Sequence, residues 1–422
     1  MKKVLIITYY WPPAGGPGVQ RWLKFVKYLR EFNVDPVLYI PENPDYPILD
    51  ASFNNEIPEG IKIYKRPIFE PYKLASFFSR KKTKRISSGL IKSKNQSFLE
   101  KIMLWIRGNL FIPDARKYWI NPSVNFLSEI LSKEKIETII TTGPPHSVHL
   151  IGYKLKEKFD INWISDFRDP WTSIGYHKKL KLTKASQKKH KKLEHLVLNS
   201  SDKIIVTSAT TKKEFKKITT KPIVVITNGF DTSYSETILD SKFTIAHIGS
   251  LLTGRNPQIL WKVLSELVNE NQELKKALQL KFVGVVSTDV LESIYSYGLE
   301  PLVKLLGYVS HEEALKAQCS SQVLLLVEID AKETQGIIPG KIFEYLAAKR
   351  PILAIGPKDW DAAEIITETI SGETFDYTQE SDLKEVILSW FKAYQKNELS
   401  VNSSNTIKYS RRELTKKLAA QL

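Results

Sequence analysis

The stretch KVLIITYYWPPAGGPGVQRWLKFVKYL, residues 3–29, decides the fold class. Lys3 to Thr8 is a short aliphatic, β-branched run, and it breaks at Trp11-Pro12-Pro13. Glycines follow at 15, 16 and 18, and then Val19, Trp22, Leu23, Val26 and Leu29 recur on one face of a helix. A strand, a glycine loop and a helix in this order open a doubly wound α/β unit. Glycines at such a junction let backbone N–H groups approach an anion at the helix N-terminus, so Gly15 and Gly16 are candidate binding residues. A tight turn that merely needs positive φ is the other reading. The segment is neither G-x-G-x-x-G nor G-x-x-x-x-G-K-[ST], which removes support for a nicotinamide dehydrogenase or a P-loop nucleotidase.

The same rhythm continues outward. Strands are expected at 36–40, 61–64, 138–141, 161–165 and 203–206, with helices around 122–131, 147–158 and 188–200. After a polar stretch from Asn228 to Lys242 it restarts at Phe243–Ile248 and repeats at 280–283, 323–327 and 351–355. A chain of 422 residues exceeds what one hydrophobic core can organise. Two Rossmann-like doubly wound domains are therefore expected, at 1–235 and 240–400, facing an interdomain cleft. The basic amphipathic segment 405–422 has no strand after it and is expected to pack back on the first domain.

Lys and Arg number 62 against 46 Asp and Glu, a net charge of +16. Residues 1–200 carry 35 basic and 18 acidic side chains, the remainder 27 and 28. The first half thus calls for an anionic partner: a phosphate-bearing substrate, a membrane surface or nucleic acid. Nucleic acid alone would not explain two doubly wound domains, and none is expected as a partner. The single Cys319 rules out an internal disulfide or a cysteine zinc site, and no apolar run reaches the length of a membrane span. Cytoplasmic residence is expected, with the run Arg80 to Arg85 and the amphipathic 98–107 stretch offering peripheral contact with the anionic inner face of the membrane; a solvated loop is the plainer reading of the same charges.

Several segments carry chemistry. Ser165-Asp166-Phe167-Arg168-Asp169 follows the expected strand 161–164, so it lies at a carboxyl strand end, where ligands of such sheets bind. Asp166, Arg168 and Asp169 are candidates for handling acceptor hydroxyls and donor phosphate; an internal ion pair between Arg168 and an Asp is the alternative. His146 opens a helix after another strand, where the dipole favours the neutral ring; it is a candidate for the same site or a cap. His146 and His149 lack a third ligand and no Asp-x-Asp pair ends a strand, so no metal is expected. In the second half, Gly336-Ile337-Ile338-Pro339-Gly340 leads into a helix bearing Lys341 and Glu344, three apart on one face. Glu344 sits in an apolar run, where a carboxylate is costly unless bound; a ribose diol would use both its oxygens, and so in part would an ion pair with Lys341.

This glycine-led helix resembles the donor site of retaining, family-4-type glycosyltransferases of the GT-B fold, whose pattern is E-x7-E. Glu344 matches the second Glu; Gly336 stands where the first would fall, and Glu333 is the nearest acid. The resemblance extends from residue 1 to about 375: Tyr10-Trp11-Pro12-Pro13-Ala14-Gly15-Gly16 is similar to the family's first glycine loop, Asn228-Gly229-Phe230-Asp231 to its N-G-[VFY]-D, His247-Ile248-Gly249-Ser250-Leu251 to the strand opening the donor domain, and Gly307 to Glu313 to its G-Y-V-[SP]-H-E-E. Arg255 lies near the family's diphosphate-binding Lys, while Ser250 stands where many members carry Arg.

The resemblance implies a hexosyltransferase that moves sugar from a nucleotide-diphosphate sugar to a glycan or lipid-linked acceptor, with retention and without cofactor or metal, in cell-surface polysaccharide or glycolipid synthesis. Donor binding would fall to Gly15, Gly16, Gly249, Arg255, Gly336, Ile337, Lys341 and Glu344, and chemistry to Asp166, Arg168, Asp169 and His146. A sugar-nucleotide epimerase or hydrolase on the same fold, or an inactive binding protein, are the competing expectations.

Overall fold

The computed structural model describes residues 1–71, 98–178, 180–231 and 237–422. The run Arg80 to Arg85 lies outside them. Two compact units are present: unit 1 comprises Met1–Asn228 with Arg411–Leu422, and unit 2 comprises Gly229–Ser410.

Unit 1 holds a seven-stranded parallel sheet in the order β3-β2-β1-β4-β5-β6-β7. Its strands are β1 (Lys2–Thr8), β2 (Val34–Pro41), β3 (Lys62–Arg66), β4 (Thr138–Gly143), β5 (Asn162–Phe167), β6 (Lys203–Val206) and β7 (Ile223–Val225). A strand covered on both faces has no polar side to present, which is why Val4-Leu5-Ile6-Ile7 reads as an unbroken apolar run and is wholly buried. Leu5 pairs with Val37 on one side and Ile139 on the other. The Pro17–Leu29 helix returns over the sheet, burying all five residues of the predicted face.

Unit 2 holds a six-stranded parallel sheet in the order β10-β9-β8-β11-β12-β13: β8 (Phe243–Ile248), β9 (Leu278–Val283), β10 (Val303–Gly307), β11 (Val323–Val327), β12 (Ile352–Ile355) and β13 (Gly372–Phe375). Side chains alternate across a strand, so Phe243 and Ile245 enter one core layer and Ala246 and Ile248 the other.

Two corrections to the sequence reading concern where elements end. β5 runs on to Phe167, because Asp166 and Phe167 pair with Thr142 and Gly143 of β4; Asp166 is inside the strand, not beyond it. The terminal helix starts at Arg411, since Thr406–Tyr409 forms a 3-10 turn. That helix buries Leu414 and Leu418 against the first helix, and Arg411 donates to Gln20 at 2.8 Å. Three edge strands, β7, β10 and β13, were not foreseen: they are short, and the inner positions of β10 are exposed.

Candidate functional site

In an open parallel sheet, ligands bind outside the carboxyl ends of the strands where the strand order reverses. That point lies between β1 and β4 in unit 1, and between β8 and β11 in unit 2.

In unit 1, the loop after β1 is fixed by its own backbone. Gly15 donates its N–H to Ile48 O at 2.9 Å, and Asp50 N donates to Pro13 O at 2.8 Å. Any Cβ on Gly15 would fall 2.8 Å from Ile48 Cγ2, so this glycine serves close packing and its amide is already used. Gly16, at φ 92°, requires the left-handed region and starts the helix. Gly18 leaves room for Arg168: an added Cβ would sit 2.2 Å from Arg168 Nη1. The guanidinium is aimed by backbone alone, through Gly143 O at 3.3 Å and Pro144 O, and lies 5.5 Å from the centroid of the Tyr10 ring. Burial pushes its pKa down, as it pushes the half-buried Asp169 carboxyl up.

The alternative reading, an ion pair between Arg168 and an Asp, is not the arrangement found: Asp166 pairs with Arg21. Asp166, fully buried, takes Arg21 Nη2 at 2.9 Å, Trp22 Nε1 at 2.8 Å and Thr142 Oγ1 at 2.9 Å. These contacts hold its carboxyl below the usual range despite desolvation. Arg21 also donates to Ile226 O and Thr227 O, so the pair ties the first helix to β5 and to the chain leaving β7.

His146 occupies the N-cap position of the Ser147–Lys158 helix without a side-chain capping bond, and is buried. Its ring stacks on Trp171 at 4.6 Å, and neither ring nitrogen has a hydrogen-bond partner among the described residues. Burial, ahead of the neighbouring charges, drives its pKa well down. The helix N-terminus is already occupied by a carboxylate: Asp114 accepts from Ser147 N at 2.8 Å and Ser147 Oγ at 2.9 Å. Sequence reading missed Asp114, which comes from 33 residues upstream.

Unit 2 gathers more of its predicted residues in one place. Glu328, the first residue past β11, is wholly buried and receives Arg255 through a fork, Nε to Oε1 at 3.1 Å and Nη2 to Oε2 at 3.0 Å. Gly249, at φ 100°, lets the chain leave β8 with Lys341 Nζ lying 3.1 Å from where its Cβ would be. Lys341 begins the Lys341–Ala348 helix and lies 2.9 Å from His247 Nε2. Gly336 and Ile337 form the approach to that helix; Ile337 O accepts from Trp360 Nε1 at 2.6 Å, which pins the loop. One turn on, half-buried Glu344 accepts from Gln318 Nε2 at 2.8 Å. The alternative reading, a Lys341–Glu344 ion pair, is not the arrangement found: each takes a separate partner. Burial lowers the Lys341 pKa to about 7 and Arg255 adds to the effect; Glu344 and Glu328 oppose it.

Gly249, Arg255 and Lys341 therefore converge with two residues that sequence reading did not single out as ligands, His247 and Glu328. A signal for Glu328 was present, since a carboxylate ends the wholly apolar Val323–Val327 strand. Among the described residues no group of three or more His, Cys, Asp or Glu could hold a metal ion, and no helix is long and apolar enough to cross a membrane.

Residues 94–234 match the model described as Glycosyltransferase Family 4. No curated protein matches the chain. Among solved structures, a glycosyltransferase from Rickettsia africae is 14% identical, with a TM-score of 0.58, covering 100% of this chain and 97% of that one. The Anabaena protein HepE, in complex with UDP-glucose, is 13% identical with a TM-score of 0.60, covering 100% and 99%. A putative UDP-N-acetylglucosamine 2-epimerase from Listeria monocytogenes is 12% identical with a TM-score of 0.53, covering 100% and 95%. At these identities the likeness is one of fold, with two Rossmann-like domains of the GT-B class.

Proposed function

We propose that this glycosyltransferase, GT-B in fold and family-4-like over residues 94–234, moves a hexose from a nucleotide-diphosphate sugar to a glycan or lipid-linked acceptor with retention of configuration. The observation that carries the reading is the convergence of Lys341, Arg255 and the Gly249 turn at the strand-order reversal of unit 2, with Glu344 one turn along the same helix. Glycosyl transfer develops negative charge on the leaving diphosphate, and preorganised cations and amides aimed at that charge are the largest catalytic contribution. Lys341 and Arg255 supply the charge without a metal, and the 336–340 loop and Gly249 let backbone approach. Glu344 would accept from ribose hydroxyls, exchanging Gln318 for the ligand.

In unit 1, Arg168, Asp169 and His146 follow β5 and β4 at their carboxyl ends and would meet the acceptor. Asp166, closed off by Arg21, Trp22 and Thr142, is a positioning residue in this reading. The acceptor hydroxyl would lose its proton to the leaving phosphate, so a strong protein base is not required. The Phe98–Leu110 helix exposes Ile102, Trp105 and Leu110, which supports peripheral contact with an anionic membrane on the cytoplasmic face, in cell-surface polysaccharide or glycolipid synthesis.

The test is binding and slow hydrolysis of a panel of UDP-, GDP- and ADP-linked hexoses. One donor is expected to bind and turn over, and Glu344→Ala to weaken that binding roughly 100-fold through lost charge-assisted hydrogen bonds. Absence of binding across the panel, or a Glu344→Ala protein that binds normally, would overturn the reading. Gly336 in place of the first Glu favours a second reading, a donor-binding protein without turnover; binding without hydrolysis or transfer would select it.

Gly18→Ala offers a separate check on Arg168. Because the clash is with the tip of a flexible side chain, the unfolding free energy measured in urea is expected to stay within about 1 kcal/mol of the parent. Displacing the guanidinium is expected to reduce kcat at least about tenfold, as small misplacements of a positioned group do. Unchanged kcat would remove Arg168 from the chemistry.

A further inference from the structure

The Lys341–His247 pair has a chemistry that the donor reading leaves unused. His247 is buried in β8 with Nδ1 3.0 Å from Leu325 O. A carbonyl can only accept, so Nδ1 carries the ring proton and Nε2 presents a lone pair. That lone pair faces Lys341 Nζ at 2.9 Å. An amine and an ammonium can both donate to it, so the contact survives loss of the lysine's charge.

The surroundings favour that loss. Facing Lys341 are His247 on β8, Arg255 in the loop after β8, Glu328 at the end of β11 and Glu344 on its own helix. Both carboxylates are already engaged, Glu328 by the Arg255 fork and Glu344 by Gln318. Tyr345, the next residue but one from Phe343 on this helix, is turned to Ile248 N and Leu325 O and brings no charge. The lysine is thus desolvated, hydrogen-bonded to a neutral ring and close to another cation, the three conditions that stabilise a neutral amine. Its Nζ lies 3.1 Å from where a Cβ on Gly249 would sit, at a turn where backbone could approach a ligand.

We propose that the Lys341–His247 pair is a proton-exchanging anion site: Lys341 stands as the neutral amine in the free protein and takes up one proton from solvent when a diphosphate group binds beside Gly249. His247 holds the amine in place through its Nε2 lone pair in both states. The inference rests on the donor reading, and concerns how the site acquires its charge. Keeping the lysine neutral until ligand arrives avoids placing a second cation beside Arg255, whose fork already holds Glu328. The lowering of the Lys341 pKa to about 7 is in accord with this geometry.

Calorimetric titration with UDP-glucose and GDP-mannose at pH 8, in Hepes, Tricine and Tris, measures the proton count from the dependence of heat on buffer ionisation enthalpy. The diphosphate diester of a nucleotide sugar does not titrate in this range, so any proton is the protein's. Uptake close to one proton is expected at pH 8 and close to none at pH 5.5, with affinity falling roughly tenfold per pH unit above about pH 7. In Lys341→Arg and Lys341→Met, neither of which can take up the proton, both the uptake and the pH slope are expected to vanish from the binding that remains. Binding without proton uptake, or uptake that persists in Lys341→Arg, would overturn the inference and leave the donor reading standing. Failure of every donor in the wider panel to bind would overturn the donor reading, and the inference with it.

Discussion

Replacing Asp166 with alanine is expected to destabilise unit 1 by about 3–5 kcal/mol, the cost of leaving a buried guanidinium without its counter-charge. Arg21 has 1% of its side chain exposed and Asp166 none, so water cannot take the missing partner's place. Trp22 Nε1 and Thr142 Oγ1 would lose their acceptor as well. The loss should appear as a lower urea midpoint followed by tryptophan emission. Removing both charges tells the charge from the rest: Arg21→Met with Asp166→Leu is expected to recover the part due to the uncompensated guanidinium, while Trp22 Nε1, Thr142 Oγ1 and the Ile226 and Thr227 carbonyls still lose these partners. A change below about 1 kcal/mol in Asp166→Ala would show that the pair does not hold the first helix to β5.

Acidification is expected to be the second large effect. His149 and His177 are buried and, through desolvation, titrate at about 3 and about 4 in the folded chain. An unfolded histidine titrates near 6.5, so between these values the unfolded state binds the extra protons. Their contribution is therefore complete above about pH 6.5 and is lost as pH falls below it. From pH 7 to 5 the two histidines together account for about 4 kcal/mol, at up to about 1.4 kcal/mol per pH unit each. His146 and His190, also lowered by burial, act in the same sense; Asp169 and Glu194, raised by burial, act against it. Urea unfolding at pH 7 and pH 5 checks the slope. His177→Gln and His149→Gln should each flatten it, and an unchanged slope in both would place the acid sensitivity elsewhere.

Much of the fold was legible because its signals are local. A strand covered on both faces must be apolar throughout, so Val4–Ile7, Phe243–Ile248 and Val323–Val327 announce themselves, and glycines 15, 16, 18 and 249 mark turns that need positive φ or close approach. The short β7, β10 and β13 were not legible, since an edge strand with exposed positions lacks that pattern. The glycine-led helix with Lys341 and Glu344 was legible from the cost of a carboxylate in an apolar run, a local argument too.

Partner choice was a different matter. Sequence proximity suggested Arg168 with a nearby Asp and Lys341 with Glu344, because residues close in the chain are the only neighbours a sequence displays. Tertiary structure instead paired Asp166 with Arg21, 145 residues away, Glu328 with Arg255, 73 away, and Lys341 with His247, 94 away. The sequence by itself determined that parallel strands and glycine turns would form two doubly wound units. Only the strand order, which sets β1 beside β4 and β5 beyond it, and β8 beside β11, decided which charges meet, because burial obliges each ion to take the partner that the neighbouring strand end or helix start brings within reach.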